Sequence, residues 1–381
     1  MDSSENVPSE AINAVYFNSY EELSVHELML KDKPRTEAYQ NAILKNKGLF
    51  ENKTVMDIGA GTGILSLFAA KAGAKKVYAV EASNLAATTK KIVEDNGFAE
   101  IIEVLNYRLE DLPTSFEKVD IIISEWMGFY LLHESMLNTI IYGRDNFLKP
   151  EGLLFPSSAQ IYASAINLDT LYDSQINFWE NVYGFNFSSI LPAAKQTYVL
   201  KNSVLDVLPE NVISSEFLIE DFNLYKITEN QINFFQQKCF FSVNKDSLLH
   251  GFAIWFDVKF PKDPNNGEEV VLSTAPGAPK THWQQFAVKT PDPVNVYLGD
   301  LIEGSFTFKQ DFENPRFYNV TVEVDEITHE DDGDDEDMDE DAELFCLPGH
   351  EANCDCIKCE IARSFLKEEE KLEDEEEIIE L

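Results

Sequence analysis

Between residues 53 and 150, short apolar runs alternate with segments of helical periodicity. Strands and helices that alternate in this way predict a parallel sheet with helices on its faces. An apolar helix, Ile64–Lys71, follows the first strand directly. The predicted strands are Thr54–Ile58, Lys76–Glu81, Ile101–Leu105, Val119–Ser124 and Leu153–Phe155. Upstream, residues 1–14 are predicted to be a flexible tail, and residues 16–46 to be mostly helical.

The pattern changes at about residue 156, where short β-type runs with polar alternation begin. Such runs predict an antiparallel barrel or sandwich over residues 156–328. Residues 168–190 are richer in helix formers and aromatics, which indicates an inserted helical arm. The clearest strand candidates of this region are Ala159–Ala165, Gly251–Phe260 and Val320–Val324. We therefore expect two domains, at residues 15–155 and 156–328.

The net charge of −38 is unevenly distributed along the 381 residues. Residues 330–381 carry 23 acidic and 4 basic residues, which is half of this charge. The acidic run at 329–343 is of low complexity and is predicted to be disordered, and a charged helix is predicted from about residue 361. An acidic chain lacks the basic footprint of a nucleic-acid-binding protein and favours basic protein partners.

The sequence also indicates the cellular compartment. The hydrophobic content of 44% suffices for large cores, and no apolar run reaches the length of about 20 residues that spans a membrane. The N-terminal sequence is acidic and polar, so no secretory signal is visible. Four of the five Cys lie in one short stretch, unlike a secreted disulfide framework. We expect a cytoplasmic and nuclear protein.

A glycine-rich turn, Val55–Gly63, joins the first predicted strand to the following helix. It reads D-x-G-x-G-x-G rather than the G-x-G-x-x-G of dinucleotide-binding proteins, and no basic residue stands in it to balance a pyrophosphate. Glu81 ends the next strand and is placed to accept hydrogen bonds from ribose hydroxyls. These features favour a nucleoside cofactor, although a purely structural βα turn remains the alternative.

The loop Ser124–Met136 leaves the carboxyl end of a buried strand, where open α/β sheets bind ligands. It carries two carboxylates, Glu125 and Glu134, among aromatic residues. Two anions held close together repel each other unless a cation lies between them, and a planar guanidinium suits that position. Alternatively, Glu125 only ends a strand and Glu134 only supports the first turn of the next helix.

Taken together, these motifs resemble those of the protein arginine N-methyltransferases, and most closely the type I enzymes. The resemblance covers residues 16 to about 324. It is carried by four motifs in order, namely Tyr16-Phe17-Asn18-Ser19-Tyr20, the glycine-rich turn, the double-glutamate loop and Thr281-His282-Trp283. It implies a Rossmann-like S-adenosylmethionine-binding domain, then an antiparallel β-barrel domain with an inserted helical dimerisation arm, and a homodimer.

By this resemblance the cofactor is S-adenosylmethionine. Arg35 would pair with its carboxylate, with His26 nearby, and Gly59 and Gly61 would pass close to the amino acid and ribose moieties. Without the resemblance, Arg35 and His26 would be taken for a surface salt-bridge cluster. The remaining implied contacts are Glu81 on the ribose hydroxyls, Glu110 near the adenine amino group and Tyr20 closing over the cofactor.

The resemblance also implies how arginine is methylated. Glu125 and Glu134 would grip the substrate guanidinium and orient one nitrogen towards the methyl group, while Asp32 and His282 would remove the released proton; a structural His282 is the alternative. Tyr16, Met29, Met136 and Trp283 would line the substrate site. Because a large aromatic residue at the position of Met29 is associated with symmetric products in relatives, Met29 indicates monomethyl- and asymmetric dimethylarginine. The expected substrates are basic proteins, such as histone tails and Arg/Gly-rich segments.

A Cys-rich knot near the C-terminus is not explained by the resemblance. Its spacing, C-x3-H-x3-C-x-C-x2-C, offers more ligands than one tetrahedral zinc site needs. A free-thiol or redox-sensitive tail is the alternative. The candidate zinc ligands are Cys346, His350, Cys354, Cys356 and Cys359.

Two other functions compete with an arginine methyltransferase. One is a non-catalytic acidic scaffold or histone-binding protein on a methyltransferase-like fold, and the presence of both loop glutamates, Arg35 and Glu81 argues against it. The other is a small-molecule methyltransferase, which conflicts with the large β domain.

Overall fold

A computed structural model describes residues 23–201 and 203–329 of the chain. Two helices come first, α1 (Leu23–Lys31) and α2 (Lys33–Leu44). The helical stretch predicted for residues 16–46 is therefore interrupted at Asp32. The side chain of Asp32 accepts a hydrogen bond of 3.1 Å from the backbone N–H of Arg35, and Pro34 lies in the first turn of α2. Both features are typical of a helix start.

A five-stranded parallel sheet has the order β3-β2-β1-β4-β5. Its elements are β1 (Thr54–Ile58), α3 (Ile64–Lys71), β2 (Lys76–Val80), α4 (Ala86–Asp95), β3 (Ile102–Leu105), β4 (Val119–Ile123), α5 (Leu137–Phe147) and β5 (Leu148–Phe155). The predicted Rossmann-like sheet is confirmed, although β5 begins five residues earlier than expected. The strand order reverses at β1, so the loops that follow β1 and β4 flank the crevice where such sheets bind ligands.

Antiparallel strands follow in two sheets, of the orders β7-β12-β10-β6-β8, with β11 paired to β10, and β14-β13-β9. The strands are β6 (Ser158–Ile166), β7 (Val204–Leu205), β8 (Phe217–Asn223), β9 (Phe234–Ser242), β10 (Ser247–Lys259), β11 (Val271–Ser273), β12 (Gln285–Val296), β13 (Leu301–Gln310) and β14 (Tyr318–Thr328). Strand β8 contacts β9 and β12 contacts β14, so the two sheets close on each other in a barrel-like arrangement. This confirms the predicted antiparallel domain.

The inserted segment contains helices α6 (Asp169–Gln175) and α7 (Leu191–Leu200), with two 3-10 turns between them. The arm predicted for residues 168–190 contains α6 and the two turns, and a helix with Pro192 in its first turn follows it to Leu200. Tyr172, Ile176 and Tyr198 form a small hydrophobic core of its own. Helix α8 (Glu229–Asn233) lies between β8 and β9.

One hydrophobic core spans the parallel sheet and the antiparallel domain. Phe260, which follows β10, packs against Tyr39 of α2 at 4.9 Å between ring centroids and against Phe155 of β5 at 6.3 Å. These contacts join the antiparallel domain to α2 and to the parallel sheet. Within residues 23–201 and 203–329, no helix is both long and apolar enough to cross a membrane.

Candidate active site

The glycine-rich turn after β1 keeps its backbone free of side chains. Gly59, Gly61 and Gly63 have φ angles of 72°, 54° and 84°, a left-handed region that residues with a Cβ rarely adopt. A Cβ on Gly59 would lie 2.7 Å from Cε of Met136, so the absence of a side chain at Gly59 also leaves space for the Met136 side chain opposite it. The turn can therefore approach a ligand closely.

Glu81 follows β2 and ties this turn to the neighbouring strand end. Its Oε2 accepts a hydrogen bond of 2.8 Å from the backbone N–H of Gly61, and its Oε1 accepts one of 2.8 Å from Ser83. The residue is 8% exposed, so the carboxylate is held in place at the edge of the crevice. Each carboxylate oxygen has a second lone pair with which it can accept a hydrogen bond from a ligand.

Asp57 is a buried acid in the same strand–turn unit that sequence reasoning left without a role. It is 0% exposed, and Oδ2 accepts a hydrogen bond of 2.7 Å from the Ser66 hydroxyl. Burial raises the pKa of Asp57 to about 7, the hydrogen bonds from Ser66 oppose this effect, and the charge of Glu81 raises the pKa further. The D-x-G pattern could have identified Asp57 in the sequence as part of the glycine-rich turn. The structure places its side chain beneath this turn.

Glu125, directly beyond β4, is bound by Arg35 of α2. The Nε and Nη2 atoms of Arg35 donate hydrogen bonds of 2.9 and 2.6 Å to Oε2 of Glu125, and Nη1 donates one of 2.9 Å to the carbonyl of Met29. Both side chains are nearly buried, at 10% exposed for Arg35 and 11% for Glu125. The prediction paired Arg35 with a cofactor carboxylate; because Nη2 also contacts Sδ of Met29 at 3.9 Å, its bonds within the described residues leave one of its five N–H groups for that role.

Glu134 lies in a strained part of the same loop. Its φ of 56° is left-handed, as are those of Tyr130 at 42° and Leu131 at 77°. The backbone N–H of Glu134 donates a hydrogen bond of 2.6 Å to the carbonyl of Arg316, in the β13–β14 hairpin. The hydroxyl of Tyr130 donates one of 3.1 Å to the carbonyl of Tyr318. The antiparallel domain thus braces the loop that carries Glu134.

The structure brings Asp32 and His282 together across 250 residues of chain. Oδ2 of Asp32 accepts hydrogen bonds from Nδ1 of His282 at 2.6 Å and from its backbone N–H at 2.9 Å. Burial alone would raise the pKa of Asp32, but the hydrogen bonds from His282 and from the Arg35 backbone outweigh it, so the pKa lies below its usual value. Because this carboxylate is ionised and only accepts, the proton lies on Nδ1 of His282, and Nε2 is the basic nitrogen.

Trp283 lines the cavity with only a small part of its side chain. It is 3% exposed, packs edge-on against Phe256 and donates a hydrogen bond of 3.3 Å from Nε1 to the carbonyl of Met127. We predicted that Trp283 lines the substrate site; it reaches the cavity but is mainly a core residue, because its indole joins the double-glutamate loop to the antiparallel domain.

One cavity of about 280 Å³ connects the glycine-rich turn and Glu81 with the double-glutamate loop and His282. Met29, half-buried, shares it with Glu125 and Glu134, which we call the clamp carboxylates. Glu110 lies at its exposed rim, where Oε1 accepts a hydrogen bond of 3.0 Å from Thr139. Two lining residues that sequence reasoning missed are His133 and Arg316. The predicted site residues that line the cavity are His26, Met29, Arg35, Gly59, Gly61, Glu81, Glu110, Glu125, Glu134, Met136, His282 and Trp283.

Some predicted site residues lie outside the described residues, namely Tyr16, Tyr20, Cys346, His350, Cys354, Cys356 and Cys359. Among the described residues, no cluster of three or more His, Cys, Asp or Glu could hold a metal ion. The zinc site and the C-terminal charged helix therefore stay predictions.

Two known protein families match this chain, and the two matches meet where the parallel sheet ends and the antiparallel strands begin. Residues 157–326 match the arginine methyltransferase oligomerization subdomain, and residues 38–157 match the ribosomal protein L11 methyltransferase (PrmA) family. Among solved structures, the Trypanosoma brucei PRMT1 enzyme-prozyme heterotetrameric complex with AdoHcy aligns with a TM-score of 0.72 and 34% identity, over 81% of this chain and 94% of that chain. Arabidopsis thaliana protein arginine methyltransferase 10 aligns with a TM-score of 0.70 and 31% identity, over 81% and 99%.

Curated relatives match over the same region. Protein arginine N-methyltransferase 1 of Saccharomyces cerevisiae is 41% identical over 310 residues, which is 81% of this chain and 86% of the relative. Probable protein arginine N-methyltransferase 6.1 of Oryza sativa subsp. japonica is 40% identical over 331 residues, covering 81% and 84%. The chain thus belongs to the family of protein arginine N-methyltransferases.

Proposed function

We propose that the protein is a type I arginine methyltransferase, which transfers methyl groups from S-adenosylmethionine to arginine in basic protein segments and forms monomethyl- and asymmetric dimethylarginine. The observation that carries this proposal is the pair of loop carboxylates, Glu125 and Glu134, in one cavity with the glycine-rich turn. The turn suits a nucleoside cofactor and the carboxylates suit a guanidinium.

The two clamp carboxylates, Glu125 and Glu134, differ in how many oxygens are available to a substrate and in how exposed they are. Both bonds from Arg35 go to Oε2 of Glu125, so within the described residues Oε1 is available to a second guanidinium. Glu134 is more open, with a side chain 43% exposed. Two carboxylates that bind one guanidinium fix its plane and orient one terminal nitrogen, and alignment of this kind can lower a barrier by up to about 7–11 kcal/mol.

The residues present fit S-adenosylmethionine. Three left-handed glycines leave the turn open, the buried carboxylate of Glu81 has lone pairs for ribose hydroxyls, and the imidazole of His26 stands 3.6 Å from where a Cβ of Gly61 would be. The N–H group of Arg35 that Glu125 and Met29 do not use would hold the amino acid carboxylate. When bound, the cofactor supplies an electrophilic methyl group on a sulfonium.

His282 would accept the proton that the methylated nitrogen loses. Its Nδ1–H is held by Asp32 at 2.6 Å, which orients the ring and leaves Nε2 as the basic atom. The positive charge that develops on the imidazole is balanced by the same carboxylate. Proton removal follows attack in this scheme, so no strong base is needed beforehand.

Product type depends on the space around the target nitrogens. Met29 and Met136 are slim, adaptable side chains in the cavity, and Sδ of Met29 lies 3.9 Å from Nη2 of Arg35. Such walls leave room for a second methyl on a nitrogen that already carries one. This supports asymmetric dimethylarginine as the final product.

The test is transfer of a radiolabelled methyl group to an Arg/Gly-rich peptide and to its Lys-substituted form, followed by chromatography of the hydrolysed product. We expect label on the arginine peptide alone, as monomethyl- and asymmetric dimethylarginine. Label on the lysine peptide, or none on either, would contradict the proposed activity. Symmetric dimethylarginine would contradict only the type I assignment.

We further propose that the acidic segment 329–381 recruits basic substrates. The chain's charge of −38 attracts cationic peptides over several ångströms at low salt. Deletion of this segment should raise the Michaelis constant for an Arg/Gly-rich peptide, with less effect at high salt. A lower Michaelis constant after deletion would instead indicate that the segment competes with substrates.

The inserted arm supports a homodimer. Aromatic side chains lie exposed on it, with Tyr183 at 96% and Phe185 at 70%, and such a surface is typical of a protein contact. Multi-angle light scattering should give twice the chain mass. A Tyr183→Ser/Phe185→Ser variant should give the monomer mass, and a wild-type monomer at micromolar concentration would refute the dimer.

A further inference from the structure

His133 lies immediately before Glu134 and packs between the double-glutamate loop and the β13–β14 hairpin. Its ring meets that of Phe317 edge-on at 4.7 Å between centroids, and its Nε2 lies 3.8 Å from Oε1 of Glu134. The side chain is 23% exposed and lines the cavity. A titratable ring therefore stands beside one of the two carboxylates that would bind the substrate.

The tautomer of this ring follows from the hydrogen bonds of Tyr130. The Tyr130 hydroxyl has one proton and gives it to the carbonyl of Tyr318 at 3.1 Å. The same oxygen lies 3.2 Å from Nδ1 of His133, so this nitrogen must be the donor and carry a hydrogen. Neutral His133 consequently has its lone pair on Nε2, and an added proton goes to the atom that faces Glu134.

The charges around the imidazole come from both packed elements. From its own loop it faces the carboxylate of Glu134 and the Tyr130 hydroxyl, whose pKa is raised by burial, so that it stays protonated. The hairpin contributes Phe317, which is neutral, and Arg316, which lines the same cavity and is always a cation. When Nε2 takes up a proton, the attraction between His133 and Glu134 therefore strengthens more than any of these other contacts.

We propose that His133 is a positioning residue for Glu134, and that protonation of its Nε2 draws this carboxylate away from the substrate guanidinium, so that arginine binding weakens in mildly acidic solution. The proposal rests on the function proposed above. With Nε2 unprotonated, Glu134 is available to the substrate. With Nε2 protonated, an internal cation competes with the guanidinium for the same oxygen.

The direction of the pKa shift agrees with this arrangement. Burial lowers the pKa of His133 and the nearby charge of Glu134 opposes that shift. The ring is therefore neutral at pH 7 and above, and charged in acid. Because proton and substrate compete for one carboxylate, the effect should appear in the Michaelis constant.

The experiment measures KM and kcat for an Arg/Gly-rich peptide from pH 5 to pH 8.5, in the wild type and in His133→Gln. The amide of Gln keeps a donor for Tyr130 but does not titrate. We expect the wild-type KM to rise by up to about tenfold per pH unit below the pKa of His133, while the variant KM stays flat. Both should show the same pH dependence of kcat, because the substitution is expected to change only the binding of the guanidinium.

Identical KM profiles in the two proteins would overturn the proposal. If neither protein methylates the arginine peptide at any pH, it is the proposed function that fails. If His133→Gln does not fold, NMR titration of 15N-histidine in the wild type and in Glu134→Gln replaces it. Removal of the neighbouring carboxylate should lower the pKa of His133, and an unchanged pKa would refute the pairing.

Discussion

Neutralising the clamp carboxylates one at a time should separate their structural from their catalytic contributions. Glu125→Gln and Glu134→Gln make the same chemical change in one loop. Glu125 receives two N–H groups of Arg35, and the pair is nearly buried, with side chains 11% and 10% exposed. Glu134 is 43% exposed, and its Oε1 lies 3.8 Å from Nε2 of His133. We expect both variants to lose methyl transfer, but only one to lose stability.

The size of the difference follows from burial. Removal of one partner of a buried ion pair costs about 3–5 kcal/mol, because the other charge is left uncompensated. Gln keeps an acceptor oxygen for Arg35, so we expect about 3 kcal/mol for Glu125→Gln. An exposed ion pair contributes only about 0–1 kcal/mol. Since about 1 kcal/mol shifts the thermal midpoint of a domain of this size by about 2–4 °C, Glu125→Gln should lower it by about 6–12 °C and Glu134→Gln by less than about 4 °C.

The assay combines thermal unfolding with methyl transfer below the lower midpoint. A double-mutant cycle with Arg35→Met isolates the pair, because the double variant leaves no buried charge behind. Its midpoint should lie above that of Glu125→Gln alone. Equal midpoints for the two Gln variants, or an additive loss in the double variant, would refute the view that Arg35 and Glu125 support each other.

Three further perturbations test other parts of the site and of the fold. Asp32→Ala should lower the unfolding free energy by about 2–3 kcal/mol at pH 7, because it removes a helix cap and charged hydrogen bonds. Because the pKa of Asp32 is lowered in the folded state, denaturant unfolding should show the full difference above pH 3.8, and the difference should disappear as the pH falls further. Gly59→Ala, at φ 72° and with a Cβ 2.7 Å from Met136, should weaken S-adenosylhomocysteine binding about tenfold or more in calorimetry, and unchanged affinity would contradict the close approach. His250 is 1% exposed with a pKa lowered by burial, so thermal scans should show His250→Gln losing less stability than the wild type between pH 7 and pH 5.

Local pattern was sufficient for the parallel sheet. Thr54–Ile58 and Ile64–Lys71 were predicted with their observed bounds, because an apolar strand, a glycine turn and an apolar helix are all coded locally. The interruption at Asp32 was missed, although Asp32 followed two residues later by Pro34 is a helix-start signal. The helix that follows the predicted arm was not predicted, since the run beginning at Leu191 has no amphipathic period to distinguish a helix from a loop.

Long-range pairing limited prediction of the site. The sequence pointed to Glu125 and Arg35 separately, but their contact joins residues 90 positions apart, and no local pattern encodes it. Likewise, Glu134 could be singled out in its loop, whereas its brace, the carbonyl of Arg316, comes from a hairpin in the other domain. A backbone carbonyl carries no side-chain signal at all, so only the folded structure could supply that partner.

The two clamp carboxylates are thus held by different parts of the fold. Glu125 is fixed by a guanidinium from the N-terminal helices, and Glu134 by a hairpin of the antiparallel domain. A planar guanidinium needs both acceptors at the correct separation, whereas the point charge of an ammonium tolerates either one. Discrimination of arginine from lysine should therefore depend on how firmly the domains are packed. Substitutions in the shared core, such as Trp283→Phe, which removes the hydrogen bond to Met127, should relax this discrimination before they abolish activity.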